Sequence, residues 1–89
     1  MKSILQTEKE CFVCHTTQGL HLHHLIHGTA NRKIADREGL VCYLCHRCHT
    51  RVHDSDRGLD LELIQLAQKK FEETHTRDEW RELFTKSWL

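Results

Sequence analysis

Apolar positions follow two rhythms along this chain. In Leu20-His21-Leu22-His23-His24 they alternate with histidines, a period of two that predicts a short strand. Leu40-Val41-Cys42-Tyr43-Leu44 predicts a second strand, built from residues that suit a pleated, half-buried surface. After Gly58 the period lengthens. Leu61, Leu63, Ile64, Leu66, Ala67 and Phe71 fall close to the 3.6-residue repeat and predict a helix that starts at Asp60 as N-cap and ends near Thr74 or His75. Thr76-Arg77-Asp78-Glu79 has the spacing of a capping box, and Trp80, Leu83, Phe84 and Trp88 then lie on one face of a shorter helix. These aromatics read as core, because the chain has few other large apolar groups. Between the strands, Gly28 to Lys33 reads as a loop and residues 34–38 as a helical turn. His46 to His53 reads as a short helix.

The elements predict an α+β fold in one domain spanning residues 1–89, with a compact core over about 8–55 and helices over about 59–88. The 38% hydrophobic and 7% aromatic content is thin for a chain of 89 residues, so a metal or covalent staple is expected. Mean hydropathy is −0.62, and no apolar run is long enough to span a membrane. The N-terminal Met-Lys-Ser-Ile-Leu-Gln-Thr-Glu has no extended apolar core, which favours an intracellular, reducing, cytoplasmic setting. Thirteen basic and thirteen acidic residues cancel, so any grip on a polyanion must come from a local patch or a bound cation.

Five cysteines in a reducing setting point to metal before disulfides. Cys11-Phe12-Val13-Cys14 and Cys45-His46-Arg47-Cys48 are two C-x-x-C pairs, and four thiolates at that spacing suit one tetrahedral zinc ion. Cys42-Tyr43-Leu44-Cys45 is a competing pair. Cys45 with Cys48 is preferred, because it places one ligand at a strand end and the next in the first helical turn. Cys42 then lies mid-strand as a buried thiol. Four thiolates leave no open position on the ion, so its role is structural.

Four of the nine residues from Leu20 to Gly28 are histidines. His23 and His24 are neighbours on a strand and point to opposite faces, so they divide between metal binding and another task. His49 follows Cys48 directly, and His53 lies four residues on, the spacing that shares one helix face. A second metal site of His23, His49 and His53 is therefore expected. His15, His21, His27, His46 and His75 carry no such pattern.

C-x-x-C, then His-His on a strand, then L-C-x-x-C-H-x-x-x-H across a strand and helix, resembles the HNH, or ββα-metal (His-Me finger), nuclease family, in particular its small phage and prophage members. The resemblance covers Cys11 to His53. It implies a ββα-metal core with a structural zinc knuckle and a C-terminal helical segment. It implies His24 as the general base, His23, His49 and His53 as ligands of a catalytic divalent cation, and Cys11, Cys14, Cys45 and Cys48 as ligands of structural Zn²⁺. The family's middle Asn falls just before the second strand, where this chain has Gly39 and Leu40. Asn31 is the nearest candidate, either as a brace of the fold or of the His24 ring, or as an ordinary turn residue.

The function implied is metal-dependent endonuclease cleavage of DNA, double-stranded, by nicking or double-strand cutting. An imidazole titrates near neutrality and can take a proton from water. Arg32, Lys33, Arg47 and Arg51 are phosphate-binding candidates, or solvated surface charge. All-imidazole ligation favours Mn²⁺, Co²⁺ or Ni²⁺ over Mg²⁺, which prefers oxygen. A homodimer or a larger phage assembly is compatible with this role, and no membrane partner is expected. A non-catalytic zinc module contacting nucleic acid or protein is the alternative. Metal storage or sensing is a third reading, against which the ordered spacing argues.

Overall fold

The computed structural model describes residues 2–89. Its elements run β1 (Leu20–His24), α1 (Thr29–Glu38), β2 (Val41–Cys45), α2 (His46–Thr50), α3 (Arg57–Phe71) and α4 (Arg77–Phe84). β1 and β2 form a two-stranded antiparallel sheet in which Leu20 faces Cys45, His23 faces Cys42 and His24 faces Val41. The fold is α+β, as the two rhythms predict. Among the described residues, no helix is long and apolar enough to cross a membrane.

One side of the sheet is buried. Cys42 and Leu44 of β2 and His23 of β1 are inaccessible, and Leu25, Ile26, Leu40 and Val52 close around them. Leu63, Ile64, Ala67 and Phe71 of α3 and Trp80 and Phe84 of α4 complete the core. Trp80 is fully buried, with ring centroids 4.5 Å from Phe84 and 5.4 Å from Phe71. Its indole N–H donates to the Lys86 carbonyl, which resolves its one polar atom. The aromatics of α4 are thus core. Buried Gln68 draws the C-terminus in. Its side chain donates to Ser87 Oγ (2.8 Å) and Glu72 Oε2 (2.7 Å) and accepts from the Trp88 amide (2.8 Å).

Several boundaries differ from the sequence reading, and α3 ends at Phe71 rather than near Thr74 or His75. Of the segment read as a loop from Gly28 to Lys33, Gly28 is the N-cap and Thr29 to Lys33 belong to α1, a ten-residue helix. Its first turn has no side-chain cap and no acid, and it buries only Ala35, so no apolar stripe announces it. Gly39 ends it in the left-handed conformation (φ 75°), where its amide bonds to the Ala35 carbonyl. Gly39 also lies against the leading segment. A Cβ there would stand 3.0 Å from the Lys2 carbonyl oxygen and 3.1 Å from Ile4 Cγ2. Another difference is the start of α3. Its N-cap is Asp56, whose side chain accepts from the Leu59 amide at 2.9 Å, so Asp60 sits one turn inside.

The helix after β2 changes gauge midway. α2 runs from His46 to Thr50 and continues as a π-helical turn over Arg51–Ser55, closed by the Asp56 amide on the Arg51 carbonyl at 2.7 Å. Such wide turns cost helix hydrogen-bond geometry and concentrate at functional sites. This one carries His53.

Candidate metal centres

The chain from Glu10 to Gly19 is a knuckle folded on its own backbone. The Cys11 amide donates to the Thr16 carbonyl at 2.8 Å, and the His15 amide to the Cys11 carbonyl at 2.9 Å. The Phe12 amide reaches the Tyr43 carbonyl at 2.8 Å and fastens the knuckle to β2. Cys45 ends β2 and Cys48 lies in the first turn of α2. The four sulfurs of Cys11, Cys14, Cys45 and Cys48 thereby lie within 4.8 Å of one another. Tetrahedral ligands at a Zn–S bond of ~2.3 Å stand about 3.8 Å apart. Cys14 Sγ and Cys45 Sγ are 3.6 Å apart. The four thiols fit a structural zinc ion. Burial opposes the Cys11 thiolate, but the backbone amides of Cys14, Cys45 and Val13 outweigh it and bring the thiol down to about 6. One ligand is thus ready to ionise at neutral pH. Cys42 stands outside the cluster. Burial, then Cys11, pushes its thiol up to about 12, which suits an inert core residue.

The second cluster is made of imidazoles. One ring nitrogen each from His23, His49 and His53 lies within 4.8 Å of the other two. Ring centroids are 5.3 Å apart for His23 and His49, 5.5 Å for His23 and His53, and 4.6 Å for His49 and His53. The Nε2 atoms of His49 and His53 are 3.1 Å apart. Tetrahedral ligands at ~2.1 Å from an ion stand about 3.4 Å apart, so this pair has ligand spacing. His23 is 2% exposed, and its Nε2 has no hydrogen-bond partner. A buried nitrogen without a partner costs stability unless something fills its lone pair. A divalent cation is a group that would do so here. Burial first, then His49, His27 and His53, pushes His23 down to about 3, so its ring is neutral and able to ligate at pH 7. Burial and the neighbouring rings of His53, His21 and His46 lower His49 as well.

His24 points off the other face of β1 yet lines the same cleft, of about 340 Å³, as His23, His49 and His53. Its Nε2 lies 2.7 Å from Asp36 Oδ1 on α1. A carboxylate accepts, so the shared proton sits on Nε2 and Nδ1 keeps the lone pair. Arg32 also lines this cleft, whereas Lys33 and Arg47 are exposed outside its wall and Arg51 is held by Asp56 at 3.0 Å. Asn31 acts as a brace of the backbone. Its side-chain amide donates to the His27 carbonyl at 2.8 Å, holding the turn between β1 and α1.

Three participants escape sequence reasoning. Asp36 is twelve residues from His24, with nothing local to pair them. His27 enters the cleft with its ring 5.5 Å from that of His53, and its Nε2 lies 2.8 Å from Asp60 Oδ1 of α3. His21 stacks on His49 at 5.5 Å. The i, i+2 spacing of His21 and His23 places both on one strand face, a signal that could have found His21.

Comparison with protein-family models, curated proteins and solved structures finds no match for this chain.

Proposed function

We propose that this chain is a metal-dependent DNA endonuclease of the HNH, ββα-metal type, with β1, β2 and α2 as its catalytic core. One observation carries the reading. Three imidazole nitrogens converge, one of them buried without a partner, while a fourth imidazole stands beside them in the same cleft, engaged by a carboxylate instead. Simple chelation would not need that division.

His23, His49 and His53 hold the cation. When bound, it supplies Lewis acidity towards a phosphate oxygen and the leaving oxygen of a phosphodiester. The cysteine cluster fixes Cys48 and so the start of α2, which carries His49 and leads into the π-helical turn that carries His53. His24 accepts a proton from water at Nδ1. Asp36 holds Nε2–H, orients the ring and steadies the imidazolium that forms, as a carboxylate does for a catalytic histidine. Asn31 fixes the turn that carries the cleft wall.

A plasmid-nicking assay tests this. The chain, loaded with one equivalent of zinc, receives Mn²⁺, Co²⁺, Ni²⁺ or Mg²⁺. Cleavage is expected with the first three and weaker with Mg²⁺. His24→Ala lowers it at least ~100-fold with zinc content and melting temperature unchanged. Absence of cleavage with every ion removes the endonuclease reading and leaves a zinc-binding module. Equal cleavage by His24→Ala removes His24 as the base.

A further inference from the structure

We propose that Cys14 is a modification site for hydroperoxides, resolved by Cys45, whose oxidation releases zinc from the cysteine cluster and loosens α2. The site needs the four thiols to hold zinc. It does not depend on the endonuclease reading.

The four sulfurs share one cluster but not one exposure. Cys11 and Cys48 are 0% exposed and Cys45 is 7%, whereas Cys14 stands exposed on the knuckle. A coordinating thiol is held as the thiolate, the form that attacks a peroxide. Burial shields three of the ligands from a dissolved oxidant, so the first sulfur it meets is Cys14. A resolving partner is already in contact. Cys45 Sγ lies 3.6 Å from Cys14 Sγ. A disulfide needs ~2.05 Å, a gap that small shifts of the two side chains close. The Phe12 amide on the Tyr43 carbonyl, at 2.8 Å, keeps the knuckle against β2 meanwhile. Cys42 is buried and stands outside the cluster, so it takes no part.

The Cys14 sulfur attacks one oxygen of the peroxide. The O–O bond breaks, the leaving oxygen takes a proton from solvent, and Cys14 becomes a sulfenic acid. The Cys45 sulfur then attacks the Cys14 sulfur. The S–S bond forms, the S–O bond breaks, and the leaving hydroxide takes a proton and ends as water. Two sulfurs have together given two electrons to the peroxide. Only Cys11 and Cys48 then remain as thiolates, too few to retain Zn²⁺.

The change reaches α2 because this helix has little of its own to hold it. It has five residues, its N-cap is Cys45, and no side chain caps its first turn. Isolated helices of that length are marginal. A Cys14–Cys45 bridge keeps the knuckle on β2 but frees Cys48, and His49 is the next residue.

The test treats the full chain, loaded with one equivalent of zinc, with hydrogen peroxide. A chromogenic chelator should read release of that zinc. Peptide mapping should place the new disulfide between Cys14 and Cys45, with Cys11, Cys42 and Cys48 still alkylated as thiols. Dithiothreitol with added zinc should restore the starting state. Hydrogen exchange at the Arg51 amide, which closes α2 on the Arg47 carbonyl, should quicken at least ~10-fold on oxidation. Cys14→His keeps a fourth zinc ligand without the oxidisable sulfur, so it should release zinc at least ~10-fold more slowly. Mapping of the wild type decides the site even if that variant binds no zinc. No zinc release, a disulfide that omits Cys14, or release by Cys14→His at the wild-type rate overturns the site. A bridge from Cys14 to Cys11 or Cys48 overturns Cys45 as its partner, and unchanged exchange at Arg51 overturns the loosening of α2. A chain that takes up no zinc overturns the site together with the cluster.

Discussion

Replacing His23 with leucine should make the protein more stable and less able to bind a divalent cation. His23 is buried between β2 and α2, and its Nε2 has no partner. An unsatisfied buried polar group costs ~1–3 kcal/mol, whereas an apolar side chain of similar size carries no such cost. His23→Leu should therefore gain ~1–2 kcal/mol in urea unfolding at pH 7, with one equivalent of zinc and no other cation. The acid limb changes too. Burial and the neighbouring imidazoles bring His23 down to about 3 in the fold. Its unfolded value is ~6.5, so between those values the unfolded chain binds more protons and stability falls as pH falls. Each pH unit in that window costs the wild type up to ~1.4 kcal/mol from this ring, and His23→Leu lacks that loss. Stabilities at pH 7, 6 and 5 for the two chains give the comparison. A leucine variant less stable than wild type at pH 7, or one with the same slope between pH 6 and 5, would refute the reasoning.

Cys14 is exposed, so Cys14→Ser removes a zinc ligand and little packing. Zinc content should fall below one per chain, with a large drop in melting temperature, and a variant with full zinc content would contradict the four-thiolate site. Gln68→Ala leaves the Trp88 amide and Ser87 hydroxyl without their buried partner and should cost ~2–3 kcal/mol in urea unfolding. Gly39→Ala should cost ~1–3 kcal/mol, because φ is 75° and the new methyl meets the Lys2 carbonyl at 3.0 Å. The same unfolding assay reads it, and a neutral result would place the leading segment elsewhere.

Much of the candidate site is written in local spacing. Two C-x-x-C pairs, the His49 and His53 interval and the alternation around His23 each follow from element geometry, and the structure brings those residues together. The fold class is equally plain in the two rhythms. Asp36 beside His24 and Asp60 beside His27 are not legible, because each pair joins separate elements and depends on how α1 and α3 pack. α1 is concealed for another reason. It lies on the surface, buries only Ala35 and lacks a capping side chain, so it offers neither periodicity nor a start signal. Its stop signal was present in Arg37 in the last turn and Gly39 after it. At α3, Gly58 resembles a boundary, yet it falls inside the first turn because Asp56 already caps the helix.

Manganese binding followed by electron paramagnetic resonance tests the imidazole centre most directly. The chain loaded with one equivalent of zinc should bind one further Mn²⁺ saturably. His53→Ala, at an exposed position, should abolish that binding while zinc content and melting temperature hold. Equal Mn²⁺ binding by His53→Ala, or no saturable binding by the wild type, would contradict a cation held by His23, His49 and His53.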